Sequence, residues 1–540
     1  MRKSLLAVAA ALFATQSAAQ APAAPPKLLV VISIDQFSAD LWDEYRPQFT
    51  GGFARLASGT VFHNGYQSHA ATETCPGHST LLTGDRPTTT GIIGNIWSDQ
   101  SLQRSDKSVY CAENEQAPGS SSTAYKVSDQ HLRVPTLGDR MKALWPTSRN
   151  VAVSGKDRAA VMMSGHHADQ RWYWDGKKFA TDLSAAAEPQ AVTRANAAVQ
   201  RILAAPGEAL QPPAFCAGKA QAITLEGSGK TVGNGTLARA AGDAAGFRAS
   251  PALDGSTLAL AAGLIQEMKL GHAATPDVLS VSLSATDYVG HTYGPGGQEM
   301  CLQLMELDRE LGDFFAFLDR SGVDYAVALS ADHGGLDIPE RLRLRGVADA
   351  ARVDPALSAS AVGKSIGQRL GLSGPVLIGD FSGDVWIDKR LTGIDRSRAQ
   401  REALKAYRAH PQVEAAFSRD QIAATPMPSG NPVQWSLIQR ARASYDPARS
   451  GDIVVVLKPH ITPIADTSRY VSTHGSPWDY DRRVPILFWR RGIASNSPSE
   501  PVETADIMPT LAAMLGLPLG APAIDGHCLG GVSGVFCSPR

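Results

Sequence analysis

A threonine that could act as a nucleophile opens the stretch TCPGHSTLLTG at residues 74–84. The apolar run and Pro76 predict a helix that starts near Thr74, because proline is favoured in a first helical turn. The Thr74 hydroxyl would then lie at a helix N-terminus, where free N–H groups stabilise an anion. Threonine attacks poorly until something removes its proton, such as a bound metal ion. The sequence must therefore also supply a metal site if Thr74 is to react.

Carboxylate and imidazole side chains follow several predicted strands. Zinc binds histidine nitrogen and carboxylate oxygen, and a catalytic zinc site keeps one position open. Three aspartates, three histidines and a threonine could form two such sites that share a substrate. Each motif alone has a structural alternative, since an aspartate after a strand often caps a helix. The candidate ligands are Asp35, Thr74, Asp287, His291, Asp332, His333 and His474.

Two cations, Lys156 and Arg158, follow the short predicted strand at residues 150–154. Residues two apart in an extended chain point the same way, so both could face one anion. The arginine fork suits phosphate oxygens, and lysine adds a point charge. An exposed basic turn is the structural alternative.

These residues need a scaffold that brings strand ends together. β-Branched apolar runs, such as residues 27–34, alternate with helical patterns along the chain. This alternation predicts an α/β fold with a mainly parallel sheet and helices on both faces. Such sheets bind ligands at the carboxyl ends of their strands. We expect one catalytic domain over residues 27–540, with inserted α+β or cap segments around residues 187–275 and 391–450.

The N-terminus predicts export. Residues 1–19 have a basic start, a short apolar run and small residues before a cleavage point, which is typical of a secretory signal peptide. Residues 20–26 are rich in alanine and proline and predict a tether. No apolar run is long enough to span a membrane, so we expect a periplasmic or secreted protein. A formal net charge of −1 gives no indication of a nucleic-acid partner.

Six cysteines, an even number, fit disulfides in an exported protein. Free buried thiols are the alternative, and zinc ligation is disfavoured because the chain has no C-x-x-C pair. The safest prediction is Cys528–Cys537, because these two cysteines are the closest in sequence. The other two predicted bonds are Cys75–Cys111 and Cys216–Cys301.

In type and order, the motifs resemble the alkaline phosphatase superfamily, and most of all its bacterial periplasmic alkaline phosphatases with a threonine nucleophile. The resemblance covers most of the mature chain. The matching residues, in order, are Asp35, Thr74, Asn95, Lys156-x-Arg158, Asp287-x-x-x-His291, Asp332-His333 and His474.

The resemblance implies two Zn²⁺ per chain and hydrolysis of small phosphate monoesters through a phospho-Thr74 intermediate. It implies that one zinc is bound by Asp287, His291 and His474. It implies that the other zinc is bound by Asp35, Thr74, Asp332 and His333. It also implies that the phosphoryl oxygens are held by Asn95, Lys156 and Arg158.

Charge counting favours monoesters over diesters. Two zinc ions bring four positive charges, which three aspartates and a threonine alkoxide would balance. Lys156 and Arg158 would then attract the dianion of a monoester. A diester carries one charge less and gains less from both cations.

Three other functions compete. A phosphodiesterase or nucleotide pyrophosphatase would share the metals and the threonine. A sulfatase is disfavoured because Thr74 stands where sulfatases carry the cysteine or serine that becomes formylglycine, and His78 replaces their arginine. A non-catalytic exported metal- or phosphate-binding protein is disfavoured because no ligand or nucleophile position is missing.

Overall fold

The computed structural model describes residues 24–184, 187–520 and 523–537. The predicted signal peptide at residues 1–19 and the start of the tether, residues 20–23, lie outside the described residues.

The strands run in chain order from the buried β1 to the short β19. They are β1 Leu28–Ile34, β2 Thr60–Tyr66, β3 Ile96–Ser98, β4 Ser108–Tyr110, β5 Asn150–Ser154, β6 Gln170–Trp174, β7 Phe179–Ala180, β8 Ile223–Thr224, β9 Thr231–Val232, β10 Asp277–Leu283, β11 Tyr325–Ser330, β12 Ala351–Arg352, β13 Leu377–Gly379, β14 Gly383–Ile387, β15 Val413–Ser418, β16 Ile453–Leu457, β17 Ile461–Thr462, β18 Arg483–Arg490 and β19 Val502–Glu503.

The helices fill the connections between these strands. They are α1 Ala39–Tyr45, α2 Gly52–Ala57, α3 Thr74–Thr83, α4 Pro87–Thr90, α5 Leu137–Leu144, α6 Asp157–Ser164, α7 Gln190–Ala204, α8 Ala214–Ala217, α9 Ala244–Arg248, α10 Pro251–Met268, α11 Ala285–Tyr293, α12 Gln298–Ser321, α13 Pro339–Leu344, α14 Ala359–Leu370, α15 Gly393–Ala409, α16 Arg419–Ala424, α17 Leu437–Ser444, α18 Asp479–Arg482 and α19 Ile507–Leu515.

A nine-stranded sheet forms the centre, in the order β19-β2-β18-β11-β1-β10-β5-β6-β7. Its middle is parallel from β11 to β6, whereas β18 runs antiparallel to both β11 and β2. All seven residues of β1 are buried, as expected for a parallel strand covered on both faces. The prediction of a mainly parallel α/β sheet is confirmed.

Alternate side chains of β1 enter two different cores. Leu28, Val30 and Ile32 belong to one apolar cluster with α10 and α12. Leu29 and Val31 belong to a second cluster with α3 and α19 on the opposite face. The period of two along the strand therefore places helices on both sides of the sheet.

A smaller antiparallel sheet, in the order β13-β14-β16-β15, lies between residues 377 and 457 of the chain. One face packs on α14 and α15 around an apolar cluster of its own, which includes Val385, Ile387 and Val455. We call this unit the inserted sheet.

The three predicted disulfide pairs are confirmed. Cys75–Cys111 joins the first turn of α3 to the residue after β4, and Cys216–Cys301 joins α8 to α12. Among the described residues, no helix combines the length and apolar character needed to cross a bilayer.

Candidate active site

Three aspartates lie at the carboxyl edge of the parallel strands. Asp35 directly follows β1, Asp287 lies in the first turn of α11 after β10, and Asp332 follows β11 by two residues. Because β1 pairs in register with both β10 and β11, these positions meet at one edge. All three carboxylates are buried, so they need positive charge close by.

Histidine side chains complete two groups that could each hold a metal ion. Asp35, Asp332 and His333 place one ligand atom each within 4.8 Å of one another, and so do Asp287, His333 and His474. His333 thus belongs to both groups. Its ring stacks on that of His474, with centroids 3.6 Å apart.

His291 joins the second group through Asp287. Its Nε2 lies 3.2 Å from Oδ1 of Asp287, and Nε2 of His474 lies 3.5 Å from the same oxygen. The other ring nitrogen of each histidine is paired with a backbone carbonyl at 2.8 Å, that of Ser472 and that of Thr72 respectively. Metal-binding histidines are oriented by such partners. Nε2 of His291 and Nε2 of His474 are thereby directed toward the carboxylate of Asp287.

Several inward-facing atoms lie close to one another without a hydrogen bond. Among the described residues, Oδ1 of Asp35, Oδ2 of Asp332 and Nε2 of His333 are buried and make no hydrogen bond, and Nε2 of His333 lies 3.5 Å from that oxygen of Asp35 and 3.2 Å from that oxygen of Asp332. Burial and the neighbouring carboxylate of Asp332 raise the pKa of Asp35 well above its usual value. A buried set of carboxylate oxygens and imidazole nitrogens that lie this close together fits a divalent cation such as zinc.

Thr74 is the first residue of α3, as predicted, and is fully buried. Its Oγ1 lies 3.3 Å from Nη2 of Arg158. The next N–H, that of Cys75, donates to Oδ1 of Asn95 at 2.8 Å. The backbone N–H of Asn95 in turn donates to Glu73 at 2.7 Å. Thr74, Asn95 and Arg158 are therefore held together around the start of one helix.

Lys156 lies between the two candidate metal groups. Its Nζ is 2.6 Å from Oδ2 of Asp35 and 2.5 Å from Oδ2 of Asp287. Burial alone would lower the pKa of Lys156, but these two carboxylates raise it above its usual value. The side chain is thus a charged ammonium that joins one aspartate from each group.

Sequence reasoning missed Gln36, which contacts both groups. Its backbone N–H donates to Oδ1 of Asp332 at 3.1 Å, and its side-chain amide donates to Oδ1 of Asp287 at 3.3 Å. Its φ of 64° is left-handed, which is uncommon for a residue with a side chain. The available signal was Gly290 in D-x-x-G-H and Gly335 in D-H-G-G, since both glycines pack on Gln36.

His78 is a second residue whose role the motif alone did not indicate. Its Nδ1 lies 2.9 Å from the carbonyl oxygen of Thr74 and 3.1 Å from Oδ2 of Asp332. Its Nε2 lies 3.1 Å from Oγ of Ser282 in β10. One buried ring therefore links the threonine helix to β10 and to the loop that follows β11.

Several known proteins are similar to this chain in sequence and in fold. A family model described as type I phosphodiesterase / nucleotide pyrophosphatase matches residues 29–477. The alkaline phosphatase PhoK of Sphingomonas sp. is 53% identical over 517 residues, which cover 95% of this chain and 92% of that protein. The alkaline phosphatase PhoD of Zymomonas mobilis is 46% identical, over 96% of this chain and 90% of that protein.

Solved structures agree with these relatives. The crystal structure of the alkaline phosphatase PafA matches with a TM-score of 0.81 and 26% identity, over 95% of this chain and 99% of PafA. A PafA variant substituted at one threonine, one asparagine, one lysine and one arginine matches with a TM-score of 0.82 and 25% identity, over 95% and 99% of the two chains. Murine ectonucleotide pyrophosphatase / phosphodiesterase 5 shares only the fold, with a TM-score of 0.55 and 12% identity over 92% of this chain and 97% of that one.

Proposed function

This chain belongs to the type I phosphodiesterase / nucleotide pyrophosphatase family and is a phosphatase of the alkaline phosphatase superfamily, and we propose that it hydrolyses phosphate monoesters with two zinc ions and Thr74 as the nucleophile. One observation carries the proposal: a buried threonine hydroxyl lies 3.3 Å from an arginine, beside two carboxylate–imidazole groups.

We assign the zinc ligands as the resemblance implies. One ion would be held by Asp287, His291 and His474, and the other by Asp35, Thr74, Asp332 and His333. Bound zinc would lower the pKa of a hydroxyl and offset negative charge in the transition state. Each of these side chains is buried or nearly so, and the buried atoms of Asp35, Asp332 and His333 that make no hydrogen bond support the second ligand set.

The remaining residues bind and orient the phosphoryl group. Arg158 and Lys156 supply two positive charges, and Asn95 supplies an amide whose oxygen is already held by Cys75. Phosphoryl transfer depends on positioning and electrostatics rather than on covalent assistance, so this arrangement fits the reaction. The PafA variant supports it, because its substituted threonine, asparagine, lysine and arginine are the same four residue types.

The reaction would take two in-line steps. Oγ1 of Thr74 loses its proton and forms a bond to phosphorus while the bond from phosphorus to the alcohol oxygen breaks. That oxygen leaves with the electron pair and takes up one proton, so the number of protons is unchanged. Water then attacks phosphorus of phospho-Thr74, the bond from phosphorus to Oγ1 breaks, and phosphate leaves while Oγ1 regains a proton from the water. Arg158 stays beside the transferred group in both steps.

A diesterase is the second candidate, because the matching family model carries that description. The buried Lys156 and the partly buried Arg158 favour a dianionic monoester, and the relatives that are 53% and 46% identical are named alkaline phosphatases. Relative rates on a monoester and a diester of the same phenol separate the two candidates.

We also propose that the protein is exported. The signal-peptide pattern at residues 1–19 supports this. The three disulfides support it too, because such bonds persist in oxidising compartments.

Trapping the covalent intermediate tests the proposal. The zinc-loaded protein is mixed with an aryl phosphate, quenched in acid and digested, and we expect phosphate on the peptide that carries Thr74. Thr74→Ala should keep its zinc and lose turnover, whereas Thr80→Ala in the same helix should keep both. Turnover without phosphate on Thr74, or with phosphate on another residue, would contradict the mechanism. Bound zinc without any turnover would favour the non-catalytic alternative.

A further inference from the structure

A cavity of about 670 Å³ opens beside the candidate active site, between the β3–β4 hairpin and the inserted sheet. Asn95 and His474 both line it. Asn95 is proposed to hold the phosphoryl oxygens, and His474 is proposed to bind a metal ion. The cavity therefore borders the site at which a phosphate ester would react.

One wall of the cavity is the face of the inserted sheet that points away from α14 and α15, where Trp386 and Val454 each also pack against a further apolar cluster. Ile378 of β13 lies opposite Trp386 of β14, and Asp384 of β14 lies opposite Val454 of β16. Since side chains alternate along a strand, Asp384 and Trp386 share a face. Ile378, Trp386 and Val454 are only half-buried and line the cavity. The inserted sheet thus turns an apolar, aromatic face toward the active site.

The opposite wall carries an exposed apolar side chain at Ile96. It is 53% exposed, although it directly follows Asn95 and lines the same cavity. A single exposed hydrophobic residue is ordinary on a protein surface. Here it faces further apolar residues across a concave space next to reacting groups, which is the usual composition of a ligand site.

The direction of the reaction places the leaving group in this cavity. In an in-line displacement, the leaving oxygen lies on the far side of phosphorus from the attacking Thr74. His474 belongs to the proposed metal group that does not contain Thr74, and it lines the cavity. We propose that the cavity is the leaving-group subsite and that it binds aromatic alcohols, so that aryl monoesters are the preferred substrates. This inference rests on the proposed function and names its substrate class.

The charged side chains that line the cavity disfavour an anionic leaving group. Four carboxylates line it, those of Glu73, Asp380, Asp384 and Asp481, against one ammonium, that of Lys458. A leaving group with its own negative charge, such as a second phosphate, would meet net repulsion there. A neutral aromatic ring would instead gain from burying its surface against Ile96 and Trp386.

Inhibition by phosphonates tests the subsite without interference from leaving-group reactivity. The zinc-loaded enzyme is assayed with naphthylmethylphosphonate, methylphosphonate, methylenebisphosphonate and inorganic phosphate as competitors. For the unmodified enzyme, we expect naphthylmethylphosphonate to bind at least about tenfold more tightly than methylphosphonate, from burial of the ring. Methylenebisphosphonate should bind more weakly than methylphosphonate.

Substitutions in the cavity test which side chains bind the naphthyl ring. The affinity of each variant for inorganic phosphate serves as the reference for its affinities for the phosphonates. Relative to phosphate, Ile96→Ala should reduce the naphthyl advantage about threefold or more, and Trp386→Phe should reduce it less than Trp386→Ala. Asp384→Asn should improve the binding of methylenebisphosphonate. The matched control is Ile394→Ala, which truncates an isoleucine that is 75% exposed and does not line the cavity; it should change none of these ratios.

Two results would overturn the subsite. One is equal binding of the naphthyl and methyl phosphonates, and the other is a naphthyl advantage that Ile96→Ala and Trp386→Ala leave intact. Calorimetric titration of the same phosphonates into zinc-loaded Thr74→Ala gives a readout that does not depend on turnover. Failure of inorganic phosphate itself to bind would instead count against the proposed function.

Discussion

Gln36 and Gly290 fit together so closely that a side chain at position 290 would have to displace the amide of Gln36. A Cβ atom built at that position would lie 1.6 Å from Oε1 of Gln36. The same Gln36 donates hydrogen bonds to Asp332 at 3.1 Å and to Asp287 at 3.3 Å. The glycine therefore gives Gln36 room to contact one carboxylate of each proposed metal group.

Gly290→Ala should weaken both zinc binding and turnover. The added methyl group would displace the Gln36 amide, and loss of an outer partner of a metal ligand costs about 10- to 100-fold in metal affinity or activity. Competition with a zinc chelator measures the affinity. Gly312→Ala is the matched control, because this helical glycine in α12 leaves 3.4 Å to its nearest neighbour. Equal zinc affinity in both variants would contradict the prediction.

Gln36→Gly should separate backbone strain from ligand orientation. Glycine adopts the left-handed backbone of position 36 without cost, so the zinc-free variant should unfold no more easily than the original protein. Its zinc affinity should nevertheless fall about 10- to 100-fold, because the side-chain contact to Asp287 is lost. Gln36→Ala should lose the same affinity while keeping the strain. Zinc binding that survives in both variants would show that the amide has no positioning role.

Arg158→Ala should reduce turnover of monoesters more than that of diesters. A donor aimed at developing charge contributes about 10²- to 10³-fold in kcat, and the monoester carries one more negative charge to stabilise. The measurement is kcat/KM for a mono- and a diester of one phenol. Arg248→Ala is a suitable control, since that guanidinium lies over the ring of Tyr288, 4.8 Å from its centroid, rather than beside Thr74. Equal losses on both substrates would refute the charge argument.

Asp254→Asn should flatten the pH dependence of stability. Burial raises the pKa of Asp254 to about 7, far above its value in an unfolded chain. Between pH 4 and 7 the folded protein keeps a proton that the unfolded chain has released. The free energy of unfolding therefore falls as pH rises, by up to about 1.4 kcal/mol per pH unit.

Denaturant unfolding at several pH values measures this slope. The asparagine carries no titratable proton, and its oxygen can still accept from the N–H of Ala285, which Asp254 binds at 3.0 Å. Asp313→Asn is the control, because that side chain is 76% exposed in α12 and should leave the slope unchanged. A slope in Asp254→Asn as steep as in the original protein would contradict the prediction.

The sheet and its edge could be predicted because they depend on short local patterns. A buried run that ends at an aspartate identifies a parallel strand and its carboxyl end, as at Asp35. Helical Thr74 was predictable for a similar reason, since Pro76 and the apolar run lie within one helix. The three disulfide pairs were predictable because the cysteines are even in number and the signal-peptide pattern predicts export.

Other features depend on contacts between distant segments and left no local pattern. Gln36 looks like any glutamine after an aspartate, and its contact with Gly290 spans more than 250 positions of the chain. The antiparallel β18 cannot be distinguished from a parallel strand by its apolar residues alone, because both of its faces are buried. The face of the inserted sheet that carries Trp386 can be identified only once the strands are paired.

Because β1 pairs in register with both β10 and β11, the number of residues in β1 cannot change without moving Asp35. Adding or deleting one residue within Leu28–Ile34 would slide Asp35 by one strand rise of about 3.3 Å and exchange the two faces of the strand. The carboxylate would then lie out of line with the ligands that follow β10 and with those that follow β11. Loops elsewhere can grow or shrink, but the number of residues in this strand is as restricted as the identity of the aspartate that ends it.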